Sequence, residues 1–476
     1  HRDRVASPVR MIRSASLPSG SSHCGIYCQN DSSWTRSIPP RGEELLAVAR
    51  GNLRRRFDYS RDIRLFLFYN LLVFVGWGVF ALIFNLYLRE LNLREDDMGL
   101  FSAVQTMAMA AAAASMGMVL DKLGVWRATV AGVGLFLISS LAMAFAESRP
   151  LIIVLSAITG IGLAYLFTTT MPFIIAWTRR SERQSVSTLA YSVQSLSLTL
   201  GSLIGGFLPN VLPGNALATF RWTLVGGTVI AALGLVPMVL MGPARRGREL
   251  PDPTATKEAS EAAERRQVRR DMTVFILVGG LMAVGAGMVI PFFNVYLTTL
   301  GASSSLVGYI FAIGGLSAAI IGLFAPTVAR RLGAVWGVAI IRLAIVPFYL
   351  ALIVMPGLPL AALAHIVRTT SISMAWPIDS TFISEVLPPR ARSRVFGLRS
   401  AAWNVGYSAA SLAAGFLIVQ TGYNASFIDF IAFTALSMTI FVGYFSRHPR
   451  VRSGELTGAL PRWRQPVVIM PEGDAA

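Results

Sequence analysis

The chain is short of charge, of lysine and of the residues that support metal or cofactor chemistry. Asp, Glu, Lys and Arg make up 14% of its 476 residues, against about a quarter in soluble domains. Hydrophobic residues make up 54%, which excludes a soluble, fibrous or wholly disordered chain. Lysine occurs only at Lys122 and Lys257, so the 42 basic residues, set against 25 acidic ones, are almost all arginine. Cys24 and Cys28 are the only cysteines and cannot build a disulfide framework. Histidine is found at His1, His23, His365 and His448; the cluster of His23, Cys24 and Cys28 lacks a fourth zinc ligand, so neither a metal nor a cofactor is expected. There is no phosphate-binding G-x-x-x-x-G-K-[ST] loop, which counts against an ATPase.

Long apolar runs are what the chain has in abundance. Twenty-four uncharged residues lie between Arg64 and Arg89, and a helix needs about 20 to cross the hydrocarbon of a bilayer. Further runs lie at 98–120, 128–146, 150–177, 185–208 and 222–241, then at 272–298, 304–328, 334–355, 358–386, 395–419 and 425–445. The sequence therefore predicts an all-α membrane protein of twelve spans, because backbone amides have no water partner in lipid and strand-period alternation is absent. The expected organisation is a disordered segment over 1–60, six spans over 61–242, a charged linker over 243–270, six spans over 271–447 and a tail over 448–476. The short loops alternate in arginine content. Arg54, Arg55, Arg56, Arg61, Arg64, Lys122, Arg127, Arg179, Arg180 and Arg183 fall on one side, as do the linker arginines, Arg330, Arg331, Arg390, Arg392, Arg394 and the tail. Positive loops stay cytoplasmic, so both termini are expected inside the cell membrane, and the net charge of +17 reflects topology rather than a nucleic-acid partner.

Self-comparison reveals a duplication. IFNLYLREL at 83–91 aligns with FFNVYLTTL at 292–300, an offset of 209 residues that also pairs Gly99 with Gly308, Gly124 with Gly333, Arg183 with Arg392 and Gly206 with Gly415. Each half holds six spans, so both copies enter from the same side, as parallel repeats about an axis normal to the membrane.

These features carry a resemblance. GMVLDKLGVWR, from Gly117 to Arg127 at the end of the second span, resembles the G-x-x-x-D-[RK]-x-G-R-[RK] signature of the major facilitator superfamily. Val125 stands where the signature has arginine, with Arg127 two residues later, and the second-half copy ARRLG carries Arg330 in place of Asp121. The resemblance implies the fold of that superfamily: twelve transmembrane helices in two pseudo-symmetric six-helix bundles. It implies secondary active transport of a small organic solute by alternating access, not enzymatic turnover, by a chain functional as a monomer. Gly117, Asp121, Lys122, Gly124 and Arg127 would form a cytoplasmic gate. Proton-coupled efflux of an amphipathic compound is the first reading and uptake of an anionic metabolite or a sugar the second; a membrane enzyme or a transport-like receptor is the alternative outside transport.

Ionisable residues inside a span cost at least about 2.5–3.5 kcal/mol and call for a reason. The first six spans have none at depth, whereas the second half has Arg342, His365, Arg368 and Asp379. Arg342 and Asp379 each stand about eight residues, or about 12 Å, from the same side, which predicts an ion pair between them. Arg368 and His365 share a face with Asp379. By the resemblance this face lines the pathway, with Arg368 as an anion receptor and Asp379 as a proton carrier. Asn85 and Asn294, equivalent in the repeat and beside Tyr87 and Tyr296, are expected as a polar collar toward the outer mouth, and Trp376 as a further cavity residue.

Overall fold

The computed structural model describes residues 60–178, 182–242, 262–453 and 455–456. The expectations for 1–59, including the His23, Cys24 and Cys28 cluster, for Arg179 and Arg180, and for most of the linker and tail lie outside these residues.

Among the described residues the chain is helical with no strand. Its long helices are α1 Arg61–Glu90, α2 Glu95–Leu123, α3 Val125–Met143, α4 Arg149–Trp177, α5 Arg183–Phe207, α6 Ala216–Met241, α7 Arg265–Thr299, α8 Ser304–Gly322, α9 Ala325–Val354, α10 Leu358–Val386, α11 Pro389–Thr421 and α12 Tyr423–Phe445. Ten of them are long and apolar enough to cross a membrane by composition alone. The other two are α5, rich in Ser and Gln, and α10, which carries the buried charges. Large hydrophobic side chains point outward around the body, Ile138 and Leu323 among them, the surface a bilayer would cover.

Local chemistry sets the helix ends. The side chains of Ser60, Asn215 and Ser303 accept backbone hydrogen bonds from the first turns of α1, α6 and α8, satisfying donors that have no helical partner. Thr168, Thr169 and Thr170 turn their hydroxyls back to carbonyls of their own helix, at 2.5, 2.7 and 3.5 Å, where α4 is interrupted; such back-bonding bends helices. The eighth span, expected to run to 328, stops at Gly322, and the chain restarts at Ala325 with Pro326 in its first turn. Proline has no N–H to continue a helix and fits a first turn, which accounts for the shift.

The duplication is visible in the backbone. Positive φ occurs at Asn92 and Gly301, just past α1 and α7, and at Gly124 and Gly333, four positions related by the same 209-residue offset. Gly124 joins α2 to α3, and Gly333 makes the equivalent kink inside α9. These turns mark two ends of the body, here called the Asn92 end and the Gly124 end.

Packing differs between the two. At the Asn92 end one apolar core joins both halves, from Phe80, Ile83, Tyr87 and Phe101 through Phe292, Phe293, Tyr349 and Phe427. Toward the Gly124 end the cores are separate: Phe66, Phe74, Phe136 and Phe173 belong to the first half, and Phe275, Val338, Phe382 and Phe441 to the second. The halves are therefore fused at the Asn92 end and packed independently at the other.

Candidate functional site

The seal at the Asn92 end is reciprocal. Asn85 donates from Nδ2 to the carbonyl of Pro291, and Asn294 donates from Nδ2 to the carbonyl of Leu82 at 2.8 Å. Leu82 and Pro291 are themselves equivalent in the repeat, so each asparagine performs the same contact for the other half. An amide buried in an apolar helix needs a partner, and here the partner is the opposite bundle. Arg89 donates to Thr298 Oγ1 at 2.6 Å, Ser408 to the Ala103 carbonyl at 2.8 Å and Tyr423 to Glu95 at 2.9 Å, all across the halves at this end.

Glycine makes the close approach possible. Gly99 of α2 lies against Ser411 and Gly415 of α11, while its equivalent, Gly308 of α8, lies against Ser202 and Gly206 of α5. A Cβ at either glycine would collide with backbone of the opposite half. Gly201 and Gly205 instead seat α5 on α1 beside Val75, Gly78 and Val79, a small-residue packing face.

Beneath this seal lies a cavity of about 250 Å³. Its walls are aromatic, from Trp77, Phe80, Phe84, Phe101, Phe311 and Tyr407, with Asn85, Asn294, Ser102, Gln105 and Ser156 as polar points. Both halves contribute. Among the described residues no carboxylate, guanidinium or amine lines it.

Of the expected cavity residues, Asn85 and Asn294 line it. His365 and Arg368 stand one layer back. The Arg368 guanidinium lies over the Phe293 ring, 4.9 Å from its centre, and meets His365 Nδ1 at 3.0 Å. Arginine has only donors, so Nδ1 accepts and the ring hydrogen sits on Nε2, facing the Thr369 hydroxyl at 3.5 Å. The His365 ring packs on Phe311, a wall residue, with ring centres 4.1 Å apart. Tyr296 packs between Tyr423 and Phe427 in the shared core, away from the cavity. Trp376 also falls outside it, below the Arg399 guanidinium at 5.7 Å. Its place on α10 puts it nearer the Gly124 end.

The expected pair of Arg342 and Asp379 is corrected. The carboxylate of Asp379 is ion-paired with Arg399 of α11, and both are buried. The reason is the packing of α11 along α7, where the Arg399 side chain lies against Gly279 and from there reaches Asp379. Arg342, buried in α9, remains within electrostatic reach of the same carboxylate. Arg399 was legible as an arginine four residues inside the run 395–419. The first half has a neutral counterpart, in which Gln194 donates to Asn70 Oδ1 at 2.8 Å and to Thr170 Oγ1 at 3.2 Å.

The signature residues Gly117, Asp121, Lys122, Gly124 and Arg127 sit exposed at the Gly124 end. A Cβ at Gly117 or Gly124 would meet nothing within 4 Å.

Comparison with known proteins agrees with this architecture. The model of the Major Facilitator Superfamily matches residues 66–378 and 370–469. The quinolone resistance protein NorA of Staphylococcus aureus (strain MRSA252) is 31% identical over 129 residues, which are 27% of this chain and only 33% of that relative's length. Among solved structures, the nucleoside transporter NupG superposes with a TM-score of 0.65 at 15% identity, over 82% of this chain and all of that one. The E. coli xylose transporter XylE in an inward open conformation does so with a TM-score of 0.64 at 14% identity, over 81% and 96%. With twelve long helices, a half-chain repeat and a family match along nearly all of the helical body, the chain belongs to the Major Facilitator Superfamily of membrane transporters.

Proposed function

We propose that the protein is a secondary active transporter that moves a small amphipathic organic solute across the cell membrane by alternating access. The observation that supports this most directly is the cavity between the two halves, closed above by a pseudo-symmetric seal, with separate cores on its other side. Two bundles that share a core at one end can exchange that contact for one at the opposite end while each keeps its own interior.

The arginine-rich loops put the Gly124 end in the cytoplasm under the positive-inside rule, so this conformation faces inward. On this reading Asp121, Lys122 and Arg127, with Gly117 and Gly124 shaping the loop, hold the cytoplasmic end shut in the opposite state. The aromatic, uncharged walls suit a solute with an apolar body. Export is the reading favoured by the name of the NorA relative, a resistance protein, with protons as the coupling ion and Asp379, freed from Arg399 in part of the cycle, as their carrier.

The test needs no known substrate. Gln105→Cys, in a chain with Cys24 and Cys28 replaced by serine, is probed in sealed vesicles with an impermeant thiol reagent applied from each side. Labelling from both sides is expected, and cross-linking Arg89→Cys to Thr298→Cys should abolish labelling from the Asn92 side alone. Labelling from one side only in the absence of the cross-link, or labelling from the Asn92 side that the cross-link leaves unchanged, overturns alternating access.

A further inference from the structure

Among the described residues, Arg368 is a buried cation without a countercharge. It is 4% exposed, its Nη1 has no hydrogen-bond partner of good geometry, and its neighbours, the His365 nitrogen, the Phe293 ring and the Tyr349 hydroxyl, carry no negative charge. Three acids are buried among the described residues, and each is engaged elsewhere: Asp379 with Arg399, Asp97 with Arg149, and Asp271 with His448. A desolvated guanidinium that no acid among the described residues neutralises is costly to keep, which gives it a strong claim on any anion that can approach.

Its position supplies the approach. Phe293 directly precedes Asn294 in α7, His365 packs on Phe311 in a tilted contact, and Tyr407 lies within electrostatic reach of the guanidinium; Asn294, Phe311 and Tyr407 all line the cavity. The charge thus stands one side chain behind the wall in a medium of low dielectric, where its field reaches the cavity little attenuated. The wall offers no acid that a cationic solute could pair with. At about 250 Å³ the space is slightly below the usual range of ligand pockets, about 300–1,000 Å³, and rings dominate its lining.

We infer that the solute is a small organic anion, a carboxylate on an aromatic or otherwise apolar body, whose charge is received by Arg368 Nη1 when Phe311 and His365 give way, while the body packs against Phe80, Phe84 and Phe101. This rests on the transport reading above and narrows it: cations, the partners of acid-lined pockets, are disfavoured.

The measurement is thermal unfolding of the purified full-length protein with 3-phenylpropionate, 1-naphthoate and 2-naphthoate, each beside its matched amide and amine. At least one carboxylate should raise the midpoint by a few degrees, with its amide and amine giving no comparable shift. Arg368→Gln should weaken that carboxylate at least about tenfold, the loss expected of a charge-assisted hydrogen bond, and Arg368→Lys should restore part of it. Equal or better stabilisation by amides or amines, or no stabilisation by any carboxylate, overturns the inference, and it does so in the unmodified protein, whatever the variants do to folding. Counterflow of the stabilising carboxylate in vesicles separates the two readings: binding without counterflow would sink transport and leave the anion site standing.

Discussion

Asp379 and Arg399 show what a buried ion pair does at the level of single residues. Both charges are desolvated, so removing one leaves the other uncompensated, at a cost of about 3–5 kcal/mol, whereas removing both at once is far milder. Asp379→Ala is therefore expected to lower the unfolding midpoint sharply in detergent, and Asp379→Asn with Arg399→Gln to recover most of it. A double variant no more stable than Asp379→Ala would show that the pair does not act as a unit. Asp271 has the same character: it accepts from the Tyr444 hydroxyl at 2.7 Å and Gln267 at 2.9 Å and pairs with His448 at 3.3 Å, tying the start of α7 to the chain after α12. Asp271→Ala should destabilise the second half while leaving the Asn92 seal intact, which hydrogen exchange resolved by segment would distinguish from global loosening. Arg342, His365, Arg368 and Asp379 were legible in the sequence because an ionisable residue deep in an apolar run stands out, whereas Asp271 and Arg399, at or near the start of theirs, were not singled out. The pairing was less legible. Depth along the helix matched Arg342 to Asp379, and the partner found in the structure, Arg399, is supplied by the packing of α11 on α7, which depth does not report.

At the scale of helices, the crossings of α2 with α11 and of α8 with α5 depend on glycines that admit no side chain. Gly99→Val and Gly308→Val would drive a branched side chain into backbone of the opposite half. Each is expected to weaken closure at the Asn92 end, so that Gln105→Cys becomes more reactive from that side. The two variants should act alike because their surroundings are equivalent. A strong effect at one glycine and none at the other would show that the repeat has lost its functional symmetry. The sequence offered these glycines through their spacing alone: Gly99 with Gly308 and Gly206 with Gly415 were aligned by the repeat, but nothing in the alignment says that Gly99 meets Gly415 and Gly308 meets Gly206. Such contacts cross between copies, and self-comparison reports equivalence rather than proximity. The cavity walls escaped for a related reason, since Trp77, Phe80 and Phe84 lie in the same uninterrupted apolar run as residues that face lipid or core, and periodicity does not separate the three surfaces.

For the whole molecule, the division into halves, the all-helical architecture and the family were readable, because the bilayer admits few architectures and a duplication fixes the rest. The asparagines were readable as a symmetric pair, and the structure gives them partners in each other's bundle. Replacing both, Asn85→Leu with Asn294→Leu, removes the polar latch between the bundles, so spin labels at residues 92 and 301 should report wider and broader separations than in the unaltered protein. Unchanged distances would mean that apolar packing alone holds this end together. That shared apolar interface has a calorimetric corollary. Parting the bundles there would expose greasy surface to water, and hydration of such surface carries a large heat capacity. Unless the new contact at the cytoplasmic end buries an equal area, the balance between the inward- and outward-facing forms should trace a curve against temperature instead of a straight van 't Hoff line, and cooling, which weakens hydrophobic association, should tilt it away from the form seen here.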